Sequence, residues 1–206
     1  MLPRLYPILD AGLLERAGIS IESFAREWYS AGIRFLQYRD KDAPDELVRE
    51  RVAMLLKIFH DGCLILNDRV PLAKDCCGVH IGQEDCSPSE ARSALGSKAL
   101  VGLSTHSEEQ LMIASDAPVD YLAIGPVFAT QSKAVPDPVV GLEGVRAARR
   151  LTTKPLVAIG GITRANCATV IDAGADSVAV ISDLIPRKGE AVRELVAEFS
   201  QALQQK

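Results

Sequence analysis

Short apolar runs alternate with amphipathic stretches along the whole chain. The runs at 5–9, 35–39, 63–68, 78–82, 99–104, 121–127, 156–161 and 177–182 have the length and the Val, Ile and Leu content of buried parallel strands. Helical spacing of apolar residues occurs at 21–32, 44–60, 87–95, 107–115, 141–151, 163–174 and 189–205, and a shorter piece at 70–76 joins the third and fourth strands. This order predicts an α/β fold, a single (β/α)8 TIM barrel that spans residues 1–206 as one domain.

A doubly wound open sheet is the alternative architecture for this alternation of strands and helices. Motifs do not favour it, because no G-x-G-x-x-G opens a helix after the first strand and no G-x-x-x-x-G-K-[ST] occurs. The composition, 48% hydrophobic and 24% charged, is that of a globular domain with one sizeable core.

Charge and composition exclude several classes of function. The formal net charge is −4 and no Lys/Arg-rich run occurs, so we expect neither nucleic acid nor an anionic membrane as a partner. The N-terminus has no apolar leader and no segment is long enough to span a bilayer, which predicts a cytoplasmic protein. The five cysteines are an odd set without the spacing of a zinc site, so we expect reduced thiols. Apolar residues on the barrel helices would permit a homodimer.

Cations follow the second predicted strand. In a barrel, residues at the carboxyl ends of the strands meet at one mouth. Strand alternation sends Gln37, Arg39 and Lys41 to one side of this strand, and Tyr38 and Asp40 to the other. An amide and two cations on one side predict an anion-binding site. The alternative interpretation is that these side chains are simply solvated at the end of the strand.

Carboxylates follow the third and fourth strands. Asp68 and Asp85 come at the ends of neighbouring strands, and Mg²⁺ prefers such oxygen ligands together with water and substrate phosphate. Either residue alone would more often cap a helix, but the pair favours a metal site.

The last two strands end in a pattern typical of phosphate binding. Gly160 and Gly161 follow the seventh strand and Ser182 follows the eighth, which is where many barrels hold a phosphate with backbone N–H groups. The alternative for the glycine pair is a plain tight turn. Ser104 and Lys133, after the fifth and sixth strands, add a hydroxyl and a cation at the mouth. His80 and His106 are expected to be structural, hydrogen-bonded residues.

Taken together, these residues resemble the thiamine-phosphate synthase family, from about Tyr6 to Ser182. The similarity rests on several motifs: Gln37-x-Arg39-x-Lys41, Asn67-Asp68-Arg69, Gly82-Gln83-Glu84-Asp85, Gly102-Leu103-Ser104-x-His106, Gly125-Pro126-Val127-Phe128, Lys133 and Ala158-Ile159-Gly160-Gly161-Ile162. The family pattern often has Thr where this chain has Ser132.

The resemblance implies a transferase that joins 4-amino-2-methyl-5-hydroxymethylpyrimidine diphosphate to 4-methyl-5-(2-hydroxyethyl)thiazole phosphate, or its carboxylated form, giving thiamine phosphate and pyrophosphate. It implies one Mg²⁺ on Asp68 and Asp85. The catalytic residues it implies are Arg39, Lys41, Ser104 and Lys133. The substrate-binding residues it implies are Gln37, Tyr38, Arg39, Asp40, Lys41, Asn67, Ser104, Thr130, Gln131, Ser132, Lys133, Gly161, Ile181 and Ser182.

Two other functions remain open at this point. Another phosphate-binding barrel enzyme, a thiazole tautomerase or a small sugar-phosphate isomerase, would need the phosphate site but no Mg²⁺–diphosphate cluster. By the same resemblance the tautomerase lacks the full diphosphate-binding set and has His where this chain has Pro126. A non-catalytic barrel that binds thiamine precursors would hold both substrates without releasing pyrophosphate.

Overall fold

Eight parallel strands close into a barrel in chain order, with β8 paired to β1. The structure is a computed structural model, and it describes residues 2–130 and 138–204. The strands are β1 Leu5–Asp10, β2 Phe35–Arg39, β3 Cys63–Asn67, β4 Gly78–Ile81, β5 Leu100–Thr105, β6 Tyr121–Ile124, β7 Leu156–Ile159 and β8 Ser177–Val180. The predicted (β/α)8 barrel is confirmed, and the open-sheet alternative is wrong because the sheet has no edge.

Helices cover the outside of the barrel in the described residues. They are α1 Ala11–Arg16, α2 Ile21–Ser30, α3 Asp45–Ile58, α4 Pro88–Leu95, α5 Glu108–Ser115, α6 Gly141–Leu151, α7 Cys167–Asp172 and α8 Val192–Gln204. Among these helices, none is long and apolar enough to cross a membrane.

Three helical segments differ from the sequence prediction. α1 is additional, and it begins where the Asp10 side chain accepts a hydrogen bond from the Leu13 N–H. The piece at 70–76 contains only a 3₁₀ turn, Val70–Leu72. α7 begins late because the Asn166 side chain accepts from the Thr163 N–H, which holds 163–166 in a turn.

The core has two layers, separated by the strands. The outer layer packs the strands against the helices and includes the fully buried Trp28, Leu55 and Phe199. The inner layer fills the barrel itself with Tyr6, Ile8, Tyr121, Ala123, Val157 and Ala179. Because two of these inner residues are tyrosines, the barrel floor carries polar atoms directly beneath the mouth.

Candidate active site

A cavity of about 750 Å³ opens at the carboxyl ends of the strands. Most of the predicted site residues line it: Gln37, Arg39, Lys41, Asn67, Asp68, Asp85, Ser104, Thr130, Gly161, Ile181 and Ser182. Gln131, Ser132 and Lys133 lie outside the described residues. A smaller cavity of about 400 Å³ lies between α5 and α6, and none of the predicted site residues lines it.

Tyr38 and Asp40, which the resemblance places in the substrate-binding set, do not line the cavity. Tyr38 is fully buried in the outer layer, and its hydroxyl donates to Asp40 Oδ2 at 2.7 Å. The same carboxylate oxygen accepts from Arg51 of α3, also at 2.7 Å. The pleat of β2 turns these side chains away from the barrel interior, so in the structure they link β2 to α3.

Each cation at the end of β2 is held by a carboxylate. Arg39 Nη1 donates to Asp10 Oδ2, and Asp10 sits directly across the register from Arg39 at the end of β1. Lys41 Nζ donates to Asp68 Oδ2 across the cavity mouth. Asp10 was not among the sequence candidates, although its position at the end of the first strand was a signal for it. The two cations are therefore oriented before any ligand arrives.

Asp68 and Asp85 face each other at the ends of β3 and β4. Burial and the neighbouring Asp85 carboxylate raise the pKa of Asp68, although the Lys41 ammonium opposes this shift. Asp68 also has a φ of +60°, a backbone conformation that a residue with a Cβ seldom adopts. Asp85 accepts from the Gly82 N–H at 2.6 Å. Two neighbouring carboxylates that open onto a cavity are a donor set that fits Mg²⁺.

Backbone groups of two neighbouring strand ends form the opposite wall. Gly160 and Gly161 have φ values of +102° and +62°, and a Cβ on Gly161 would lie 2.6 Å from the Ala129 carbonyl oxygen. The loop after β7 therefore packs against the loop after β6 as only glycine permits. The N–H groups of Gly161 and Ser182 donate to no acceptor within the described part of the chain. An anion at this wall would supply that acceptor.

The cavity floor contains hydrogen-bonding residues that sequence reasoning did not assign to the site. Gln37 Nε2 donates to the Tyr6 hydroxyl at 3.0 Å, and His80 Nε2 lies 2.9 Å from Ser104 Oγ. Gln83 Nε2 donates to the Ser104 carbonyl oxygen at 2.5 Å. Burial lowers the pKa of His80 to about 4, so its ring is neutral near pH 7. Its place one residue before the end of β4 was the one sequence signal for His80.

The matches to known proteins agree with this geometry. The family model described as thiamine monophosphate synthase matches residues 5–184. The chain belongs to this family. A thiamine-phosphate synthase from Koribacter versatilis is 51% identical over 98% of this chain and 96% of its own length, and one from Chloroflexus aurantiacus is 40% identical over 88% and 85%.

A solved structure extends the likeness from sequence to shape. Thiamine phosphate pyrophosphorylase from Pyrococcus furiosus superposes with a TM-score of 0.85 at 31% identity, over 98% of this chain and 95% of its own. Membership of the thiamine monophosphate synthase family, a family of transferases, therefore rests on both sequence and fold, and it covers the strands that form the cavity.

Proposed function

We propose that this chain is a thiamine-phosphate synthase, which joins an aminopyrimidine diphosphate to a thiazole phosphate and releases pyrophosphate. One observation carries the proposal. A single cavity has cations and a carboxylate pair on one wall, and on the other wall backbone N–H groups that have no acceptor among the described residues. Such a cavity can hold two anionic reactants at once, which a synthase needs and a single-substrate isomerase does not.

The pyrimidine diphosphate would bind at the wall formed by β2, β3 and β4. Arg39, Lys41 and Asn67 offer donors to its phosphate oxygens, and Asp68 and Asp85 would hold Mg²⁺ beside them. When bound, Mg²⁺ neutralises negative charge that develops on the leaving pyrophosphate. Gln37 and Ser104, deeper in the cavity, would position the pyrimidine ring.

The thiazole phosphate would bind at the wall formed after β6, β7 and β8. Thr130, Gly161, Ile181 and Ser182 line that wall. The resemblance adds Ser132 to this subsite, Lys133 to the diphosphate subsite and Gln131 to the substrate-binding set; all three lie outside the described residues and stay predictions. Arginines and lysines elsewhere on this chain are not needed for the thiazole subsite, because backbone N–H groups alone can bind a phosphate.

No protein nucleophile is required for this chemistry. The pyrimidine can expel pyrophosphate from its methylene carbon because the amino-substituted ring stabilises the resulting cation, and the thiazole nitrogen then attacks that carbon. Arg39 and Lys41 stabilise the leaving oxygens, and preorganised groups of this kind usually contribute most to such reactions. Holding both reactants in contact can supply roughly 7–11 kcal/mol more in favourable cases.

The test is pyrophosphate release by the purified protein, given both substrates, with Mg²⁺ and with EDTA. We expect thiamine phosphate and pyrophosphate in equal amounts, only with the metal present. Binding of the thiazole phosphate without any release of pyrophosphate would indicate a tautomerase or a non-catalytic binding barrel instead. A homodimer remains a separate prediction, for which the exposed Met112 and Ile113 of α5 offer an apolar surface.

A further inference from the structure

A chain of hydrogen bonds crosses the barrel floor beneath the cavity. Gln37 Nε2 donates to Tyr6 Oη at 3.0 Å, and the Tyr6 and Tyr121 hydroxyl oxygens lie 2.7 Å apart. Tyr121 Oη lies 3.1 Å from His80 Nδ1, and His80 Nε2 lies 2.9 Å from Ser104 Oγ. The three inner members, Tyr6, Tyr121 and His80, are at most 8% exposed. Buried polar groups in such a network fix each other's orientation.

A glycine makes this chain possible. His80, Gly102 and Tyr121 lie in one row across β4, β5 and β6. A Cβ on Gly102 would lie 2.0 Å from the Tyr121 ring, so the ring leans across β5 through space that only glycine leaves open. There it stacks on His80, with ring centroids 5.5 Å apart. The motif that contains Gly102 therefore has a structural role, because it leaves room for the Tyr121 ring beside His80.

The hydrogen bonds of this chain run in one direction. Tyr6 already accepts from Gln37, so its own proton goes to Tyr121, and the Tyr121 proton then goes to Nδ1 of the neutral His80 ring. His80 Nε2–H is left to donate to Ser104. In the opposite direction the buried Tyr6 proton would have no acceptor among the described residues, which is costly.

Because the hydrogen bonds run in one direction, the two ends of the chain present opposite groups to the cavity, an acceptor at Gln37 and a donor at Ser104. Gln37 and Ser104 both line the cavity. Gln37 uses its amide nitrogen on Tyr6, which leaves its carbonyl oxygen as an acceptor, and Ser104 accepts from His80, which leaves its hydroxyl proton to donate. An aminopyrimidine matches this pair, because its exocyclic amine donates and the adjacent ring nitrogen accepts. An oxopyrimidine presents the opposite order, a carbonyl oxygen beside a ring N–H.

We propose that Tyr6, Tyr121 and His80 are positioning residues. They make Gln37 present an acceptor and Ser104 a donor to the cavity, and thereby select an aminopyrimidine over an oxopyrimidine. This inference rests on the proposed function and names the source of its substrate specificity. Tyr6 and Tyr121 act only through their neighbours: no proton is transferred to the substrate, and the ring nitrogens of His80 do not change protonation during turnover.

The experiment compares two substrates in Tyr121→Phe. The wild type and the variant are given the aminopyrimidine diphosphate and the analogue in which oxygen replaces the exocyclic amine, each with thiazole phosphate and Mg²⁺. Phe keeps the ring stacked on His80 but breaks both links of the chain. We expect the preference for the amine, as a ratio of kcat/KM values, to fall by about tenfold, the effect of losing one well-formed hydrogen bond. The KM for thiazole phosphate stays within about twofold, because its subsite is on the other wall.

Tyr29→Phe is the matched control. Tyr29 lies on α2, outside the barrel, and its hydroxyl also bonds to a histidine ring, that of His60 at 3.1 Å. We expect the control to keep the substrate preference unchanged. If Tyr121→Phe does not fold, Tyr6→Phe breaks the same chain one link earlier, and we expect the same loss of preference.

The outcomes separate this inference from the function on which it rests. An active wild type whose preference survives both Tyr121→Phe and Tyr6→Phe would overturn the inference and leave the synthase intact. A wild type that releases no pyrophosphate would overturn the proposed function, and the inference with it. A general loss of kcat for both pyrimidines, with the preference unchanged, would also overturn the inference, because a merely structural role predicts that result.

Discussion

Asp40 should stabilise the barrel although it does not touch the cavity. Its side chain is 5% exposed, and its Oδ2 accepts from Tyr38 and Arg51, each at 2.7 Å. Its Oδ1 accepts from the Ala43 N–H at 3.1 Å. Burial alone would raise the pKa of Asp40, but the hydrogen bonds from Tyr38 and Arg51 outweigh it and hold the pKa below the ordinary value. The folded state therefore favours the charged form of Asp40.

The substitution Asp40→Asn measures that contribution. Asn keeps one oxygen for Ala43 but places an NH₂ group where Tyr38 and Arg51 both donate, so both of those bonds are lost. Hydrogen bonds to a charged group are worth about 1.5–3 kcal/mol each, and breaking a buried ion pair costs about 3–5 kcal/mol. We expect a loss of about 3 kcal/mol in the free energy of unfolding. For a chain of this length, that lowers Tm by about 6–12 °C.

The assay is urea unfolding followed by circular dichroism, at several pH values. Because the folded pKa of Asp40 is lowered, its contribution is present above the unfolded pKa of about 4 and is lost as pH falls through the folded value. The difference between wild type and Asp40→Asn should thus be constant from about pH 6 to 8 and shrink below about pH 4.

Asp61→Asn is the control for this measurement. Asp61 pairs with Arg34 at 3.1 Å, but both side chains are more than 40% exposed, so solvent screens the pair. We expect no measurable change in its unfolding midpoint. If Asp40→Asn unfolds with the same midpoint as Asp61→Asn at pH 7, the assignment of Tyr38 and Asp40 to a structural cluster is refuted.

Two further predictions concern the cavity walls. Asp68→Asn should raise the Mg²⁺ concentration for half-maximal turnover by at least about tenfold while leaving thermal unfolding close to wild type, and an unchanged metal titration would contradict the metal role. Gly161→Ala should raise the KM for thiazole phosphate more than that for the pyrimidine diphosphate, since a Cβ at this φ of +62° would meet the Ala129 carbonyl oxygen and displace the wall. Equal changes in both KM values would show that the wall is not specific to one phosphate.

The barrel could be predicted from sequence because its signal is local. Each parallel strand is a short run of β-branched and other apolar residues, and alternation within it sorts side chains into inward and outward sets. That alternation already separated Tyr38 and Asp40 from Gln37, Arg39 and Lys41. The family resemblance placed all five in the substrate-binding set. In the structure Gln37, Arg39 and Lys41 line the cavity, whereas Tyr38 and Asp40 do not, as the alternation predicts. α1 escaped prediction because its six residues are too few to show a helical period.

The barrel floor could not be predicted because its signal is non-local. Tyr6 and Tyr121 are 115 positions apart in sequence, and the local pattern around each one indicates only an aromatic residue in an apolar strand. Only closure of the barrel brings their hydroxyls together, and only the row that contains Gly102 lets Tyr121 reach His80. A glycine in a strand interior normally weakens the strand, so Gly102 was the available sign that another side chain crosses there.

Closure of the barrel also explains how several charged side chains at its mouth are stabilised in the absence of a ligand. Arg39 is held by Asp10, and Lys41 by Asp68, which in turn faces Asp85. If the proposed diphosphate and Mg²⁺ bind together, the diphosphate would replace the carboxylate partners of Arg39 and Lys41, and the metal would replace Lys41 as the partner of Asp68. The protein therefore stabilises these charges with internal contacts, which the proposed ligands would replace. This exchange requires side chains from β1, β2, β3 and β4 to meet at one mouth, which a closed parallel barrel provides.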